Sequence, residues 1–140
     1  MYTNILIPVA FDTDKDLDGA IAIAKRMAGK DASITFLHVM EQVPVYATEF
    51  VPATIMTETR KTARVKLQEL VADVPSAQLV VMDGATGRTI TNYADEAGID
   101  LIVIPSHNPV MSDILLGSTA AWVVRHANCA VHVIREKTAA

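Results

Sequence analysis

The chain of 140 residues has a single cysteine, few aromatic residues and no long apolar run. The lone Cys129 has no partner for an internal disulfide, which is typical of proteins in a reducing compartment. No stretch approaches the roughly 18 consecutive apolar residues of a membrane span. The first residues also lack the basic and apolar regions of a signal peptide. We therefore expect a soluble cytoplasmic protein with no membrane partner.

Positive charge is scarce as well. The chain has 12 Lys and Arg against 16 Asp and Glu, a net charge of −4, and no run of Lys or Arg. This balance suits the phosphate backbone of nucleic acid poorly, so we expect no nucleic-acid partner. With 51% hydrophobic residues, the sequence predicts a compact fold, and its length fits one domain spanning residues 1–140.

Short apolar segments typical of strands alternate with segments of helical periodicity. Strands are predicted at Tyr2–Val9, Ser33–Met40, Leu79–Met82, Leu101–Ile104 and Ala130–Ile134. Helices are predicted between them: one closed by Gly29, one from about Thr57 to Pro75, one ending at Gly98, and one over Ser118–Ala127. Residues 41–54 contain two prolines and no clear period, which favours an irregular excursion.

This alternation predicts a single doubly wound α/β fold, a five-stranded parallel sheet with helices on both faces. Periodicity leaves two strand orders open, 2-1-3-4-5 and 3-2-1-4-5. Ligands bind such sheets at the carboxyl ends of the strands, where the winding reverses. Under the second order, the crevice lies between strands 1 and 4 and is lined by Pro8–Asp12 and Pro105–Asn108.

A loop after the fourth strand leads to Gly117-Ser118-Thr119 at a predicted helix start. Free N–H groups and the helix dipole favour an anion at such a position. Ser and Thr are also common there as simple helix caps, which is the alternative interpretation. His107 in the loop is a candidate for ligand contact.

The sequence offers no positive sign of catalysis or of a metal site. It has no Gly-x-Ser-x-Gly elbow and no Gly-x-Gly-x-x-Gly or Walker loop. The acids at positions 12, 14, 16 and 18 alternate as in a calcium loop, but Leu17 and Ile23 replace its required Gly and Glu. We expect no catalytic residue and no metal ligand.

The last predicted strand carries no Pro, Lys or Glu, the residues with which monomers usually protect a sheet edge. If this strand is an edge, pairing with a second copy would cover it. The sequence therefore predicts a homodimer through Val131, His132, Val133 and Ile134.

Several segments together resemble the universal stress protein family over essentially the whole chain. They are Ile5-Leu6-Ile7-Pro8-Val9, Leu37-His38-Val39, Asp100-Leu101-Ile102-Val103-Ile104, Leu115-Leu116-Gly117-Ser118 and Val124-Arg125-His126-Ala127-Asn128-Cys129-Ala130-Val131. The loop Ser106-His107-Asn108-Pro109 before Leu115-Leu116-Gly117-Ser118 resembles the subgroup with a Ser-X-Asn/Arg-Pro loop.

The resemblance implies the order 3-2-1-4-5 of the adenine nucleotide alpha hydrolase-like fold, dimerisation through strand 5, and a role in stress response with a protein partner that the sequence does not identify. It also implies ATP or another adenine nucleotide as ligand, with Mg²⁺ as an optional companion, and at most a slow ATPase activity. Pro8 and Val39 would flank the base. The candidate nucleotide-binding residues are Pro8, Val9, Ala10, Val39, Pro105, Ser106, His107, Asn108, Gly117, Ser118 and Thr119.

This chain departs from the family's Gly-x-x-Gly-(nine residues)-Gly-Ser/Thr motif. Pro105 and Asn108 occupy the first two glycine positions, and eight residues separate Asn108 from Gly117. Ala10 stands where the family usually has Asp. Pro105 has a bulky ring and no N–H, so these changes motivate an alternative hypothesis beside nucleotide binding, a dimeric interaction module of the same fold without a nucleotide.

Overall fold

The computed structural model describes residues 1–11, 14–41, 53–106 and 116–135 of the chain. Within them the strands are β1 (Tyr2–Pro8), β2 (Ala28–Met40), β3 (Gln78–Asp83), β4 (Leu101–Pro105) and β5 (Ala130–Ile134). The helices are α1 (Asp14–Met27), α2 (Ala53–Leu70), α3 (Thr86–Glu96) and α4 (Ser118–His126). Most of the predicted 41–54 excursion, residues 42–52, lies outside the described residues.

The five strands form one parallel sheet in the order β3-β2-β1-β4-β5. This confirms the predicted fold class and selects the second of the two strand orders that periodicity left open. The winding reverses beside β1, which places the crevice between β1 and β4.

The sheet has a hydrophobic core on each face, because alternate residues of a strand point to opposite sides. Ile5 and Ile7 pack with α1 and α2, whereas Leu6 packs with α3 and α4. All three are fully buried. Strands covered on both faces need continuous apolar runs, and this explains the unbroken Ile5-Leu6-Ile7 sequence.

The boundary between α1 and β2 differs from the prediction. The helix ends at Met27, and β2 begins at Ala28 rather than Ser33. Gly29 does not close the helix: it lies in β2, and its backbone approaches Met1 so closely that a Cβ on Gly29 would be 2.5 Å from the Met1 nitrogen. Tyr2 pairs with Ala28 and Asn4 with Ser33, so β2 carries extra residues in this irregular stretch.

The end of α3 agrees with the sequence, which predicted a stop at Gly98. Gly98 has a φ of 68°, in the left-handed region that glycine adopts without strain. The Ile99 N–H donates to the Ala94 carbonyl at 2.9 Å, the long-range bond of a Schellman cap. Ile99 is buried there, so the turn delivers the chain directly into β4.

The Asp100 carboxylate joins the amino ends of β1 and β4. It accepts hydrogen bonds from the Thr3 and Asn4 N–H groups at 2.9 and 3.0 Å, and from the Thr3 hydroxyl at 3.1 Å. The Asn4 side-chain amide donates in turn to the carbonyls of Ala97 and Gly98. We name these contacts the Asp100 clamp.

Beyond the clamp, β1 and β4 pair only at Ile5–Leu101 and Leu6–Ile102. After that, Pro8 continues beside Leu37 of β2, and Pro105 continues beside Ile134 of β5. The two central strands are therefore fixed at their amino ends and lead to different neighbours at their carboxyl ends.

None of the helices in the described ranges has both the length and the apolar character needed to cross a bilayer.

Asp100→Asn should destabilise the protein and remove an acid-sensitive part of its stability. Burial alone raises the pKa of Asp100, but the hydrogen bonds from Thr3 and Asn4 outweigh it and hold that pKa below its ordinary value. A lowered folded pKa stabilises the fold above the unfolded pKa, and this contribution disappears as pH falls through the folded pKa. Relative to the unmodified protein, we expect the variant to lose about 2 kcal/mol of unfolding free energy at pH 7, and this difference should shrink below about pH 4. Urea unfolding followed by circular dichroism measures it.

The exposed Asp73 provides a matched control, since Asp73→Asn makes the same change in charge. Equal stability losses in the two variants, or a loss in Asp100→Asn that does not vary with pH, would contradict the clamp.

Candidate functional site

A cavity of about 530 Å³ opens at the carboxyl end of the sheet, between β1 and β4. The ends of β1, β2 and β4 form its floor, and the first turns of α3 and α4 form its walls. Its volume lies in the range of small-molecule sites. The described residues that line it are Pro8, Val9, Ala10, Phe11, Leu37, His38, Val39, Glu41, Thr86, Ile90, Ile104, Pro105, Gly117, Ser118, Thr119 and Ala120.

Most of the candidate residues from the sequence meet around this cavity, namely Pro8, Val9, Ala10, Val39, Pro105, Gly117, Ser118 and Thr119. Ser106 is held through its backbone instead: its N–H donates to the Ile134 carbonyl at 2.8 Å, and its carbonyl accepts from the Gly117 N–H at 3.1 Å. His107 and Asn108 lie outside the described residues.

Pro105 leaves the cavity open. It pairs with Ile134 at the end of β4 and contributes one part of the wall, beside a small apolar hollow that it shares with Pro8 and Leu17. The proline therefore removes an N–H from this wall without filling the space in front of it.

The Val39 backbone faces the cavity. Met40 directs its carbonyl toward β3, where it accepts from the Gly84 N–H at 2.9 Å. Leu37 directs its carbonyl toward β1 and accepts from the Val9 N–H at 2.8 Å. Because backbone direction alternates along a strand, Val39 points its N–H and C=O toward the β1 side, just past the end of β1.

The amino end of α4 forms the opposite wall. Gly117 is the N-cap residue, and no side chain caps its N–H groups within the described residues. The first intrahelical bond runs from the Ala121 N–H to the Gly117 carbonyl, so the N–H groups of residues 118–120 have no partner inside the helix. The hydroxyls of Ser118 and Thr119 lie at the same edge.

Phe11 and His38 close another side of the cavity; Phe11 falls within the predicted lining segment Pro8–Asp12, whereas the sequence gave His38 no role in the site. Their rings stack at 3.9 Å between centroids, and His38 Nδ1 lies 2.8 Å from the Val9 carbonyl. Since a carbonyl only accepts, Nδ1 carries the proton of that bond. On the far side of the stack, Lys66 Nζ lies 4.8 Å from the centroid of the Phe11 ring.

His38 therefore makes this hydrogen bond and also lines the cavity. The signal available in the sequence was its place beside Val39, at the end of a strand that leads into the crevice.

Cys129 packs at the edge of the second core, half-buried. Burial, together with the negative charges of Asp95 and Asp100, raises the pKa of its thiol. The thiol is therefore protonated near neutral pH and is a weak nucleophile.

Among the described residues, no group of three or more His, Cys, Asp or Glu side chains is placed to hold a metal ion. Asp12, and the side chains of Asp14 and Asp16, lie outside the described part of the chain.

The chain belongs to the universal stress protein family: a model of that family matches residues 1–135. Universal stress protein G of Escherichia coli O157:H7 is 32% identical over 142 residues, which cover 96% of this chain and 100% of the relative. The solved structure of universal stress protein UspA from Lactobacillus plantarum is 30% identical, with a TM-score of 0.73 over 96% of this chain and 98% of that one.

Two more distant structures of the same fold contain nucleotides. A universal stress protein family member from Arabidopsis thaliana with AMP bound is 19% identical, with a TM-score of 0.66 over 97% of this chain and 93% of that one. A universal stress protein in complex with cAMP is 21% identical, with a TM-score of 0.60 over 96% of this chain and 97% of that one.

Close packing between α3 and α4 sets the shape of the cavity, since each helix supplies one wall. Trp122 of α4 lies against Gly87 of α3, where a Cβ would be 2.7 Å from two atoms of the indole. Arg88 lies over the indole at 5.5 Å, and His126 stacks on it at 3.8 Å. Only glycine at position 87 permits this approach.

Gly87→Ala should lower the free energy of unfolding by about 1–3 kcal/mol, because the new methyl group forces the indole or a helix to move. Gly19→Ala is the matched control: Gly19 is an exposed position inside α1, and a Cβ there meets nothing within 4 Å. We expect that control to be stabilised by up to about 1 kcal/mol. Urea unfolding monitored by Trp122 fluorescence measures both, and stabilisation by both substitutions would contradict the close packing.

Proposed function

We propose that this protein, as one domain over residues 1–140, binds an adenine nucleotide such as ATP, ADP or AMP in the cavity between β1 and β4. The observation that carries the proposal is that one cavity has two ends with different chemistry, one suited to a base and one suited to phosphate. The backbone edge of Val39 lies at one end, and the open amino terminus of α4 lies at the other.

The Val39 end suits a purine base. Pro8, Leu37 and Ile90 provide apolar surface, on which a flat ring can be buried. One N–H and one C=O of the same residue offer a donor and an acceptor side by side. Adenine presents a ring nitrogen that accepts and an amino group that donates, so its edge matches this pair.

The α4 end suits phosphate. Backbone N–H groups and the positive end of the helix dipole stabilise an anion there without a lysine or arginine. Ser118 and Thr119 add two hydroxyl donors. The ribose would lie between the two ends, near Val9, Ala10 and Pro105.

Two solved structures of the same fold have AMP and cAMP bound, which supports an adenine nucleotide as the ligand. The open space in front of Pro105 favours it over the alternative, an interaction module that has lost its ligand. We assign no catalytic residue and keep Mg²⁺ as an optional companion of ATP.

We also propose that the protein acts as a homodimer in a cytoplasmic stress response, with a protein partner still to be identified. β5 is an edge of the sheet. Ile134 directs its carbonyl toward β4, where it accepts from Ser106. By alternation, Val131 and Val133 direct their N–H and C=O groups outward, where a second copy of β5 can pair with them.

Ser118→Asp should move stability and ligand affinity in opposite directions. A carboxylate in the first turn of α4 interacts favourably with the helix dipole, worth about 0.5 kcal/mol. The same charge repels phosphate, so the affinity for AMP should fall at least about tenfold. Isothermal titration calorimetry with AMP and urea unfolding measure the two effects.

Ser118→Asn is the matched control, with a similar shape and no charge, and we expect it to change AMP affinity by no more than about threefold. A stabilised Asp variant that binds AMP as tightly as the unmodified protein would show that this helix end is only a cap.

Val133→Pro should convert the dimer to a monomer, because proline removes an outward N–H while the ladder to β4 stays intact. Val133→Ala removes similar packing but keeps the N–H, and it should remain dimeric. Size-exclusion chromatography with light scattering distinguishes the species. A monomeric unmodified protein, or a dimeric proline variant, would overturn pairing through β5.

A further inference from the structure

The cavity that we propose to bind phosphate is poor in positive side chains. Among its described lining residues, Glu41 is the sole acid and there is no Lys or Arg. Glu41 is exposed at the mouth, two residues beyond Val39 on the same strand path. Glu41 therefore lies on the Val39 side of the space that a bound nucleotide would occupy, and its negative charge acts across the cavity on phosphates at the α4 end.

Three cations of the surrounding helices contact other groups. Arg60 of α2 pairs with Asp83 at the end of β3. Lys66 of α2 lies over the outer side of Phe11, and Arg88 of α3 lies over Trp122. None of these three residues lines the cavity.

Within the described lining, the groups that can balance the charge of a polyphosphate are N–H groups, hydroxyls and the dipole of α4, which supplies about half a charge.

We infer that Glu41 selects the phosphate charge of the nucleotide, so that the protein prefers AMP or another ligand with one phosphate over ATP unless a divalent cation accompanies ATP. This inference rests on the proposed function and deepens it by naming the ligand class. The repulsion between Glu41 and the ligand grows with each added phosphate charge, whereas the dipole of α4 stays constant.

The test measures Kd for AMP, ADP and ATP by isothermal titration calorimetry in EDTA at about 20 mM ionic strength, where screening is weak. We expect AMP to bind more tightly than ATP. Glu41→Gln should lower the ratio of the ATP Kd to the AMP Kd by about threefold to tenfold. In the unmodified protein, adding about 5 mM Mg²⁺ as a counter-ion should also lower this ratio.

Glu96→Gln is the matched control, because it makes the same change in net charge at the carboxyl end of α3, away from the cavity. The ratio of its ATP Kd to its AMP Kd should stay within about twofold of the ratio in the unmodified protein. Circular dichroism of all three proteins establishes that each is folded.

The outcomes separate the two proposals. Tighter binding of ATP than of AMP in EDTA, or a ratio that Glu41→Gln leaves unchanged, overturns charge selection while adenine nucleotide binding stands. Failure of AMP, ADP and ATP to bind to any of the folded proteins overturns the proposed function, and charge selection falls with it.

Discussion

The crevice of this protein depends on where β1 and β4 are held together and where they are not. The Asp100 clamp fixes their amino ends, and two residue pairs follow before each strand turns to a different neighbour. A longer β1–β4 ladder would close the carboxyl end of the sheet. The clamp and the early end of the ladder together hold β1 and β4 at their amino ends and leave them apart at their carboxyl ends.

At the open carboxyl end of the sheet, the groups placed to bind a ligand are mainly backbone groups rather than side chains. Val39 offers a donor and an acceptor because β1 ends before it, and α4 offers N–H groups because the helix begins there. Both features follow from where elements end. This arrangement explains how the chain can keep a usable cavity although Pro105 and Ala10 replace residues typical of the family.

Much of the fold could be predicted from the sequence, because each buried strand contains a short apolar run and α3 has a clear stop. Gly98 marks the end of α3, and Ala130–Ile134 was predicted with its observed bounds. The start of β2 could not be predicted, since it depends on Gly29 lying against Met1, a contact between distant parts of the chain.

The site was predictable where residues sit at strand or helix ends, as with Pro8, Val39 and Ser118. Glu41 was missed because it follows the last residue of β2, where strand periodicity no longer carries information. Gly87 was missed for another reason: its role is set by the indole of Trp122 on a neighbouring helix. Packing between helices leaves no local signal in either sequence segment.

A crystal structure with AMP tests the central claim most directly. The account predicts the base edge within hydrogen-bond distance of the Val39 N–H and C=O, and the phosphate on the N–H groups at the start of α4. Density for AMP at another surface, or a Pro105 ring that fills the crevice and leaves no room for the sugar, would contradict it.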